Sequence, residues 1–459
     1  MKRLEEYNEL LQELDIYNKD LETSLERASQ RYRRRNRYIH SLGSSLTVII
    51  LFVFLVNVSA PVAEACSKIP VLRELAAAVT FSPSLSDAVD NDYVQPLGLI
   101  QRDGEVEATI AYLIVDQKQV NVFFSLDSDV YTEMNAHPIV KSADGTSTTP
   151  CSYSINGWDK ENGELNCITI DFMEEDVPES LILKLDIMDY GTPSGEEPVP
   201  VSENVYDAYF EDHEGPEEED YIAHFEFILE FDPEFTEQGQ IFTVNQDVEL
   251  YGQMITIEKV EIYPTHMRVD ISDVPENTAW LKALHFYVET ENRQRFDMVG
   301  NGITAVGSTD DDTKSMVSFR ADSAYFYDAK KLNLVITGAE WLRKDMEKVY
   351  VNLKTGKTDE LPENVSFAYA KKHENGWILA MQAPKRKEDH TYQVLYNTFY
   401  DMDGNEYEIN SWSSGMETPD EGYFIEEVPL KDYHEDEVWM CPTFSYVWVS
   451  EDPISIQIK

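Results

Sequence analysis

Histidines beside carboxylates are the first residues in this sequence that could do chemistry. His213 is followed by Glu214, and His434 begins an acidic run that ends at Glu437. Neighbours of this kind serve in general acid–base catalysis, in which a positioned side chain takes or gives a proton. Both stretches are strongly acidic, which is typical of a solvated surface. We therefore expect solvated charge at both places.

Two groups of aspartates, at residues 310–312 and 401–404, suggest calcium, a hard cation that binds several oxygen ligands. The second group lacks the helix-loop-helix frame of an EF-hand, and Trp412 stands where that motif needs a bidentate glutamate. A tight turn at Asp403-Gly404 explains this stretch better. We expect the external acidic surface to attract divalent cations only loosely, as counter-charge.

The commonest catalytic signatures are missing from the sequence. It has no Gly-rich phosphate loop, no Gly-x-Ser-x-Gly elbow and no His-Glu-x-x-His zinc helix. We therefore predict a protein that is not an enzyme and that uses no cofactor.

The net charge argues against one class of partner. Among 459 residues, 86 are acidic and 37 are basic, which gives a formal net charge of −49. Such a charge repels the phosphate backbone, so we expect no binding to nucleic acid. The length is enough for about two to four domains at roughly 100 to 200 residues each.

The first element that would position these residues is a predicted membrane anchor. Residues 38–63 contain no Asp, Glu, Lys or Arg, and residues 48–56 are wholly apolar. As a helix, residues 42–63 would extend about 33 Å, enough to cross a hydrocarbon core of about 30 Å. A cleaved signal peptide ending near Ala65 and a buried core helix are the alternatives to this transmembrane helix.

An arginine cluster orients the predicted span. By the positive-inside rule it places the N-terminus in the cytoplasm and the C-terminal bulk, net charge −50, outside the cell. The topology residues are Arg31, Arg33, Arg34, Arg35 and Arg37.

Residues 1–41 are predicted to form a cytoplasmic amphipathic helix with a heptad repeat. An apolar stripe of this kind favours a partner helix, although the helix could instead lie on the inner membrane surface. A single polar residue in the stripe fixes the register of such a pair. The predicted partner-binding residues are Leu4, Tyr7, Leu11, Leu14, Asn18, Leu21 and Leu25.

Beyond the span, residues 64–90 are predicted to hold a juxtamembrane helix, over Ser67 to Phe81. From about residue 100 the apolar residues alternate, as in half-buried strands; residues 106–126 predict a hairpin that turns at Asp116 to Lys118. Further alternating runs begin at residues 267, 332, 392 and 454, and only residues 339–348 suggest another short helix.

The fold class is therefore mainly β, with an N-terminal cytoplasmic amphipathic helix, one transmembrane helix and two or three Ig-like antiparallel β-sandwich domains outside. An acidic stretch at residues 203–220 is predicted to be a solvated loop. The predicted domains are a first β-sandwich at 91–235, a second β domain at 236–350 and a third at 351–459. A single larger unit over 236–459 is the alternative to the last two.

Four cysteines are too few for a disulfide scaffold. Cys151 and Cys167 could form a bridge across a hairpin, since the outside of the cell is oxidising. A two-residue turn at Asn162-Gly163 would place Cys167 opposite Trp158 instead, whereas a longer loop would bring the two cysteines together. Both registers remain open from the sequence.

Three stretches carry a resemblance to a known family: residues 56–59 (Val-Asn-Val-Ser), residues 65–75 (Ala-Cys-Ser-Lys-Ile-Pro-Val-Leu-Arg-Glu-Leu) and residues 93–96 (Tyr-Val-Gln-Pro). In these the chain resembles single-pass Firmicutes membrane proteins with a short cytoplasmic head and an uncharacterised β-rich ectodomain. They look like anti-sigma factors that regulate extracytoplasmic-function sigma factors. The resemblance covers roughly residues 1–235 and implies a sigma factor, or another cytoplasmic regulator, as the partner.

These features lead to one functional hypothesis and one rival. The hypothesis is a single-pass signalling protein of the cell membrane, whose ectodomain senses an unknown extracellular ligand and whose cytoplasmic helix binds a regulator. The rival is a surface-anchored structural or adhesive protein. Deleting residues 1–30 separates them, because only a signalling protein should lose transcriptional output.

Overall fold

The computed structural model describes residues 69–145, 151–156, 163–173, 175–190, 220–236, 239–299, 303–308, 313–385, 393–409, 414–417 and 422–459. The chain divides into two compact units, residues 1–72 and residues 73–459. Among the described residues, no helix combines the length and apolar character that crossing a membrane requires. The predicted cytoplasmic helix (1–41) and the predicted span (42–63) lie outside the described residues.

Two short helices precede the sheets, where the sequence predicted one: α1 (Ile69–Ala78) and α2 (Pro83–Asp90). The helix predicted from Ser67 to Phe81 is confirmed as α1, whereas α2, which follows it within residues 64–90, was not predicted. The break has a local cause: Pro83 has no amide hydrogen with which to continue a helix, and the Ser82 hydroxyl accepts a bond from the Leu85 amide as an N-cap.

The rest of the described chain is mainly β, as predicted, and every strand pairing in the named sheets is antiparallel. Two sheets, of order β1-β2-β3-β6-β5 and β4-β7-β8, enclose one apolar core and form the first sandwich. Its strands are β1 (Gln95–Asp103), β2 (Val106–Val115), β3 (Gln119–Asp127), β4 (Met134–Ser142), β5 (Ser152–Asn156), β6 (Asn166–Asp171), β7 (Ser180–Asp189) and β8 (Tyr221–Glu230). A single helical turn, α3 (Pro233–Thr236), follows β8.

The second sandwich encloses its own core between sheets of order β14-β15-β11-β10-β9 and β13-β12-β16-β25. Its strands are β9 (Gln240–Leu250), β10 (Gln253–Ile262), β11 (Met267–Asp273), β12 (Ala279–Thr290), β13 (Arg295–Asp297), β14 (Ala305–Gly307), β15 (Met316–Ala321), β16 (Leu332–Arg343) and the last strand of the chain, β25 (Tyr446–Gln457).

The third sandwich has sheets of order β17-β24-β20-β21 and β18-β19-β23-β22. Its strands are β17 (Val349–Asn352), β18 (Ser366–His373), β19 (Gly376–Pro384), β20 (Leu395–Tyr400), β21 (Glu406–Glu408), β22 (Ser414–Glu417), β23 (Tyr423–Lys431) and β24 (Glu437–Pro442).

The division predicted at residue 350 needs a correction at the C-terminus. Strand β25 leaves the third sandwich and pairs with β16, and Ile456 is buried in the second core. The second sandwich is therefore completed only by the end of the chain.

The helix suggested for residues 339–348 is also wrong. Residues 332–343 form β16, which lies between β12 and β25, and a single 3-10 turn follows at Lys344–Met346. Trp341 is fully buried, and almost every residue from Leu334 to Leu342 is buried as well. A strand covered on both faces is apolar almost throughout, so its sequence resembles that of a short buried helix.

The hairpin predicted over residues 106–126 is confirmed. Strands β2 and β3 pair from Glu107–Asp127 to Val115–Val120, and the turn includes Asp116. The strand predicted from Met267 is also confirmed, as β11. The acidic residues 201–219 lie outside the described part of the chain.

Candidate functional site

Buried charged side chains meet where the first sandwich contacts the second. None of them is more than 2% exposed, although charged groups are rarely buried to this extent without partners. Each sandwich contributes residues, so the network is part of the contact between the two. Its charged and ionisable members are Asp116, Asp171, His266, Arg268 and Arg320.

Asp116 joins its own hairpin to the second sandwich. Its Oδ1 accepts bonds from the backbone amides of Lys118 (2.9 Å) and Gln119 (2.8 Å), which closes the β2–β3 turn. Its Oδ2 accepts bonds from the amide and the hydroxyl of Thr265, 3.1 and 2.5 Å away, in the turn between β10 and β11. One carboxylate thus holds a turn from each sandwich.

Asp171, at the end of β6, accepts hydrogen bonds from two arginines of the second sandwich. Arg320 on β15 binds it in a bidentate manner through Nε and Nη2, both at 3.0 Å. Arg268 on β11 donates to the same carboxylate from Nη2 at 2.9 Å. Arg268 also donates to the Phe172 carbonyl (2.9 Å), so its guanidinium is anchored to the first sandwich at more than one point.

The protonation state of His266 follows from its neighbours. Arg268 Nε can only donate, and it lies 3.0 Å from His266 Nε2, so this nitrogen accepts. The proton is therefore on Nδ1, which lies 2.9 Å from the Thr265 hydroxyl and 3.4 Å from Asp116 Oδ2. Burial lowers the pKa of His266 despite the attraction of Asp116, which keeps the imidazole neutral near pH 7.

The two carboxylates of the network stay ionised. Burial alone would raise the pKa of Asp171, but the charge and hydrogen bonds of Arg320, with Arg268, outweigh it and lower that pKa to about 2. For Asp116, burial is likewise outweighed, by His266 and by the bonds from Thr265 and the Lys118 amide, and its pKa is lowered. Two carboxylates and two guanidinium groups leave the network electrically neutral.

This arrangement positions the sandwiches and does not carry out acyl transfer. The neighbours Thr265, His266 and Asp116 have the residue types of a nucleophilic triad. However, the Thr265 hydroxyl donates to the carboxylate, and the imidazole acceptor is already bound to Arg268. No nitrogen is left to act as a base toward the hydroxyl, and Thr265 is 4% exposed.

Helix α2 is attached to the second sandwich beside this network. The Ser84 hydroxyl donates to Asp322 Oδ1 at 3.1 Å and accepts a bond from the Ser323 amide at 2.7 Å. The Ser323 hydroxyl donates in turn to the carbonyl of Tyr263, close to the β10–β11 turn. The helix that follows α1 is therefore fixed to residues about 240 positions further along the chain.

A cavity of about 70 Å³ lies between helix α2 and the two sandwiches. Its lining combines network residues with the N-terminal end of α2 and with apolar side chains. Among the residues that line it are Ser82, Gln119, Asn156, His266, Arg320 and Asp322. In the described part of the chain, no group of His, Cys, Asp or Glu is arranged to hold a metal ion.

Of the residues singled out as functional from the sequence, those that the structure describes are not part of this site. The heptad residues from Leu4 to Leu25 and the arginines from Arg31 to Arg37 lie outside the described residues, as do His213 and residues 310–312. His434 is exposed, as expected for solvated charge. Asp401 accepts bonds from the amides of Asp403 and Asn405, which confirms a tight turn at this position.

Of the two possibilities that the sequence left open for Cys151 and Cys167, the structure has the one without a bridge, because both cysteines are free. In the observed register Cys167 is opposite Asn156, while Ser152, next to Cys151, is opposite Asp171. The thiols are therefore several residue positions apart along the paired strands. The register lies closer to the short turn at residues 162–163 than to the longer loop.

Fold and site together define a mainly β protein whose first two sandwiches and helix α2 are joined by buried polar contacts. Two family models match parts of the chain. A domain of unknown function (DUF4179) matches residues 33–128, and a family of unknown function (DUF5643) matches residues 239–365. Asp116 falls in the first match and Thr265, which donates to it, in the second, so this contact joins the two matched regions. Asp171 lies between the two matches.

Among curated proteins, none matches the chain significantly. Among solved structures, the chain is similar to "the conserved domain protein from Bacillus anthracis", known from a crystal structure. The two share 15% sequence identity, and the match covers 58% of this chain and 85% of the other, with a TM-score of 0.38.

Proposed function

We propose that this protein is a single-pass membrane signalling protein, similar to anti-sigma factors, with its β-sandwiches outside the cell and a cytoplasmic helix that binds a regulator. The observation that carries the proposal is the attachment of α2 at Ser84 to Asp322 and Ser323. Because of this attachment, a displacement at the contact between the sandwiches would also displace α2, in the helical segment that follows the predicted span.

The physical basis of the proposal is the connection between elements that are distant in sequence. Asp116 and Asp171 hold the second sandwich against the first, and Ser84 holds α2 against the second. A displacement of one sandwich would break hydrogen bonds of buried groups, each of which costs about 1–3 kcal/mol when left unpaired. The contact would therefore resist small movements and respond to a ligand that binds one arrangement better than the other.

The cytoplasmic half of the proposal is tested by co-purification with the full-length chain. We expect Leu14→Asp, which places a charge in the apolar stripe, to release a bound sigma factor or other regulator. Gln12→Asp is the matched control, since residue 12 lies outside the stripe, and it should retain the partner. Recovery of no regulator with the unmodified chain, or equal recovery with both variants, would contradict the proposal and favour the adhesive alternative.

The coupling between the outside and the inside is tested with Ser84→Ala. This change removes both hydrogen bonds of the hydroxyl, and we expect it to alter the amount of regulator bound. Ser86→Ala is the control in the same helix, because the Ser86 hydroxyl bonds only to the nearby carbonyls of Val79 and Ser82.

A further inference from the structure

The cavity beside α2 contains hydrogen-bonding capacity that the described protein groups do not use. Arg320 is 1% exposed and uses only three of its five N–H donors, two on Asp171 and one on the Ser318 hydroxyl. Gln119 is 8% exposed; its side-chain oxygen accepts from Asn121 and Thr265, and its side-chain nitrogen donates to no group among the described residues. Both residues line the cavity. Donors that lack a protein partner there favour a bound group that accepts from them.

Asp322 supplies the opposite chemistry at the same cavity. Its carboxylate accepts from Ser84, and among the described residues the charged groups that act on it are the acids Asp297 and Asp87, with no cation. Burial, opposed in part by the bond from Ser84, raises the pKa of Asp322 to about 6, and the nearby acids Asp297 and Asp87 add to the increase. A bound cation would relieve this unfavourable environment.

The volume limits the size of the occupant. A water molecule needs about 10–15 Å³ of such cavity volume, so the 70 Å³ here corresponds to about five to seven non-hydrogen atoms. The apolar lining residues Leu85, Val299 and Ile303 leave room for a short carbon skeleton between polar ends. Molecules of this size that carry both an acceptor anion and a cation are few.

We propose that this cavity binds a small zwitterionic α-amino acid of the size of glycine or alanine. Its carboxylate would accept from Arg320 and Gln119, and its ammonium group would pair with Asp322. Such a ligand would touch the first sandwich, the second sandwich and the N-terminal end of α2 at once. This proposal rests on the proposed function only in the claim that the cell senses the binding; the binding itself does not require that function.

Binding is tested by calorimetry and thermal unfolding of the full-length chain in lipid nanodiscs. The probes are glycine, both enantiomers of alanine, acetate and methylamine. We expect an amino acid to bind at one site and raise the unfolding temperature, because a ligand of the folded state stabilises it. Acetate and methylamine each satisfy only one end of the site and should bind at least about tenfold more weakly.

Two variants and a control locate the site. Asp322→Asn should reduce affinity for the amino acid at least about tenfold, while Asp328→Asn, an exposed position six residues away, should not change it. Asn156→Phe fills the cavity from the first sandwich and should abolish binding even if Asp322→Asn perturbs the fold. No binding of any amino acid probe, or binding that survives Asn156→Phe, would overturn the proposal.

The outcome for binding is separable from the outcome for signalling. An amino acid that binds in the cavity but does not change the amount of regulator held by the full-length chain would support the site and contradict its role in sensing. Loss of regulator binding in Leu14→Asp together with no binding of amino acids would support the signalling function and contradict the site.

Discussion

Arg268 and Arg320 are directly opposite each other on the neighbouring strands β11 and β15, and both donate to Asp171 of the other sandwich. Like charges in directly opposite positions destabilise an antiparallel pair. Here the carboxylate lies between the two guanidinium groups and offsets their repulsion. The second sandwich therefore presents two cations that are stable together only when the first sandwich is in place.

Removing the charge of Asp171 should be the most damaging single change at this contact. Asp171→Asn leaves two buried arginines without their anion, and we expect a loss of about 3–5 kcal/mol in the free energy of unfolding. Denaturant unfolding measures it. Asp176→Asn is the control: that carboxylate is 57% exposed, pairs with Lys118, and should change stability by no more than about 1 kcal/mol. Equal effects of the two variants would contradict this role of Asp171.

Thr265→Val tests the second carboxylate of the contact. The change keeps the shape of the side chain but removes the hydroxyl that donates to Asp116, which is fully buried. We expect a loss of about 1–3 kcal/mol, the cost of leaving a buried acceptor short of a partner. Thr243→Val, at an exposed position of β9, should change the unfolding free energy by less than about 0.5 kcal/mol.

Asp322 should make the folded chain less stable as the pH rises. Its pKa in the folded chain, about 6, exceeds its ordinary value of 3.8, so the folded state favours the protonated form. The stability that this proton contributes is fully present below the ordinary value and is lost as the pH rises through about 6. The groups around this carboxyl are Ser84, Asp87 and Asp297.

Comparison of the unmodified chain with Asp322→Asn isolates this effect. Between pH 5 and pH 7.5, at roughly one unit either side of that pKa, the unmodified chain should lose about 1–2 kcal/mol relative to the variant. The contribution of Asp171 to the pH dependence of stability has the opposite sign, since it is lost only as the pH falls toward about 2. That pH range lies below this window. A difference between the two proteins that does not change with pH would contradict the assignment.

The thiols of the first sandwich should be free and unreactive in the folded chain. Burial raises the pKa of Cys167 to about 12 and that of Cys151 to about 11, so little reactive thiolate forms near pH 8. We expect little alkylation of either thiol in the folded chain. After unfolding in the absence of reductant, both thiols should be alkylated, as measured by mass spectrometry of the peptides. A peptide pair that is linked until reductant is added would contradict the observed register.

The parts of the fold that could be predicted from the sequence are those in which apolar residues alternate with other residues. The β2–β3 hairpin and β11 alternate between apolar residues that face the core and other residues, so their period identifies them. The first half of β16 also alternates and was predicted as a strand from residue 332. Residues 338–342 are all buried, so the alternation is lost there, and the prediction of a helix at residues 339–348 failed.

The candidate site could not be predicted because it depends on a contact between domains. Arg268 follows Met267 and precedes Val269, in the position of an outward-facing residue that would normally be solvated. It is buried because the first sandwich covers that face, and Asp171 comes from a strand 97 positions earlier in the chain. Arg268, the one cation in β11, was the signal available, and the alternation of the strand indicated an exposed position for it.

The proposed function requires the β-sandwiches to lie outside the cell and the N-terminal helix to lie inside it. Asp403→Cys, in the exposed turn of the third sandwich, and Gln12→Cys, in the predicted cytoplasmic helix, can be compared with the unmodified chain in intact cells by labelling with a membrane-impermeant maleimide. We predict added labelling at residue 403 in intact cells and at residue 12 only after permeabilisation. Labelling of residue 12 in intact cells, with residue 403 protected, would contradict the proposed function.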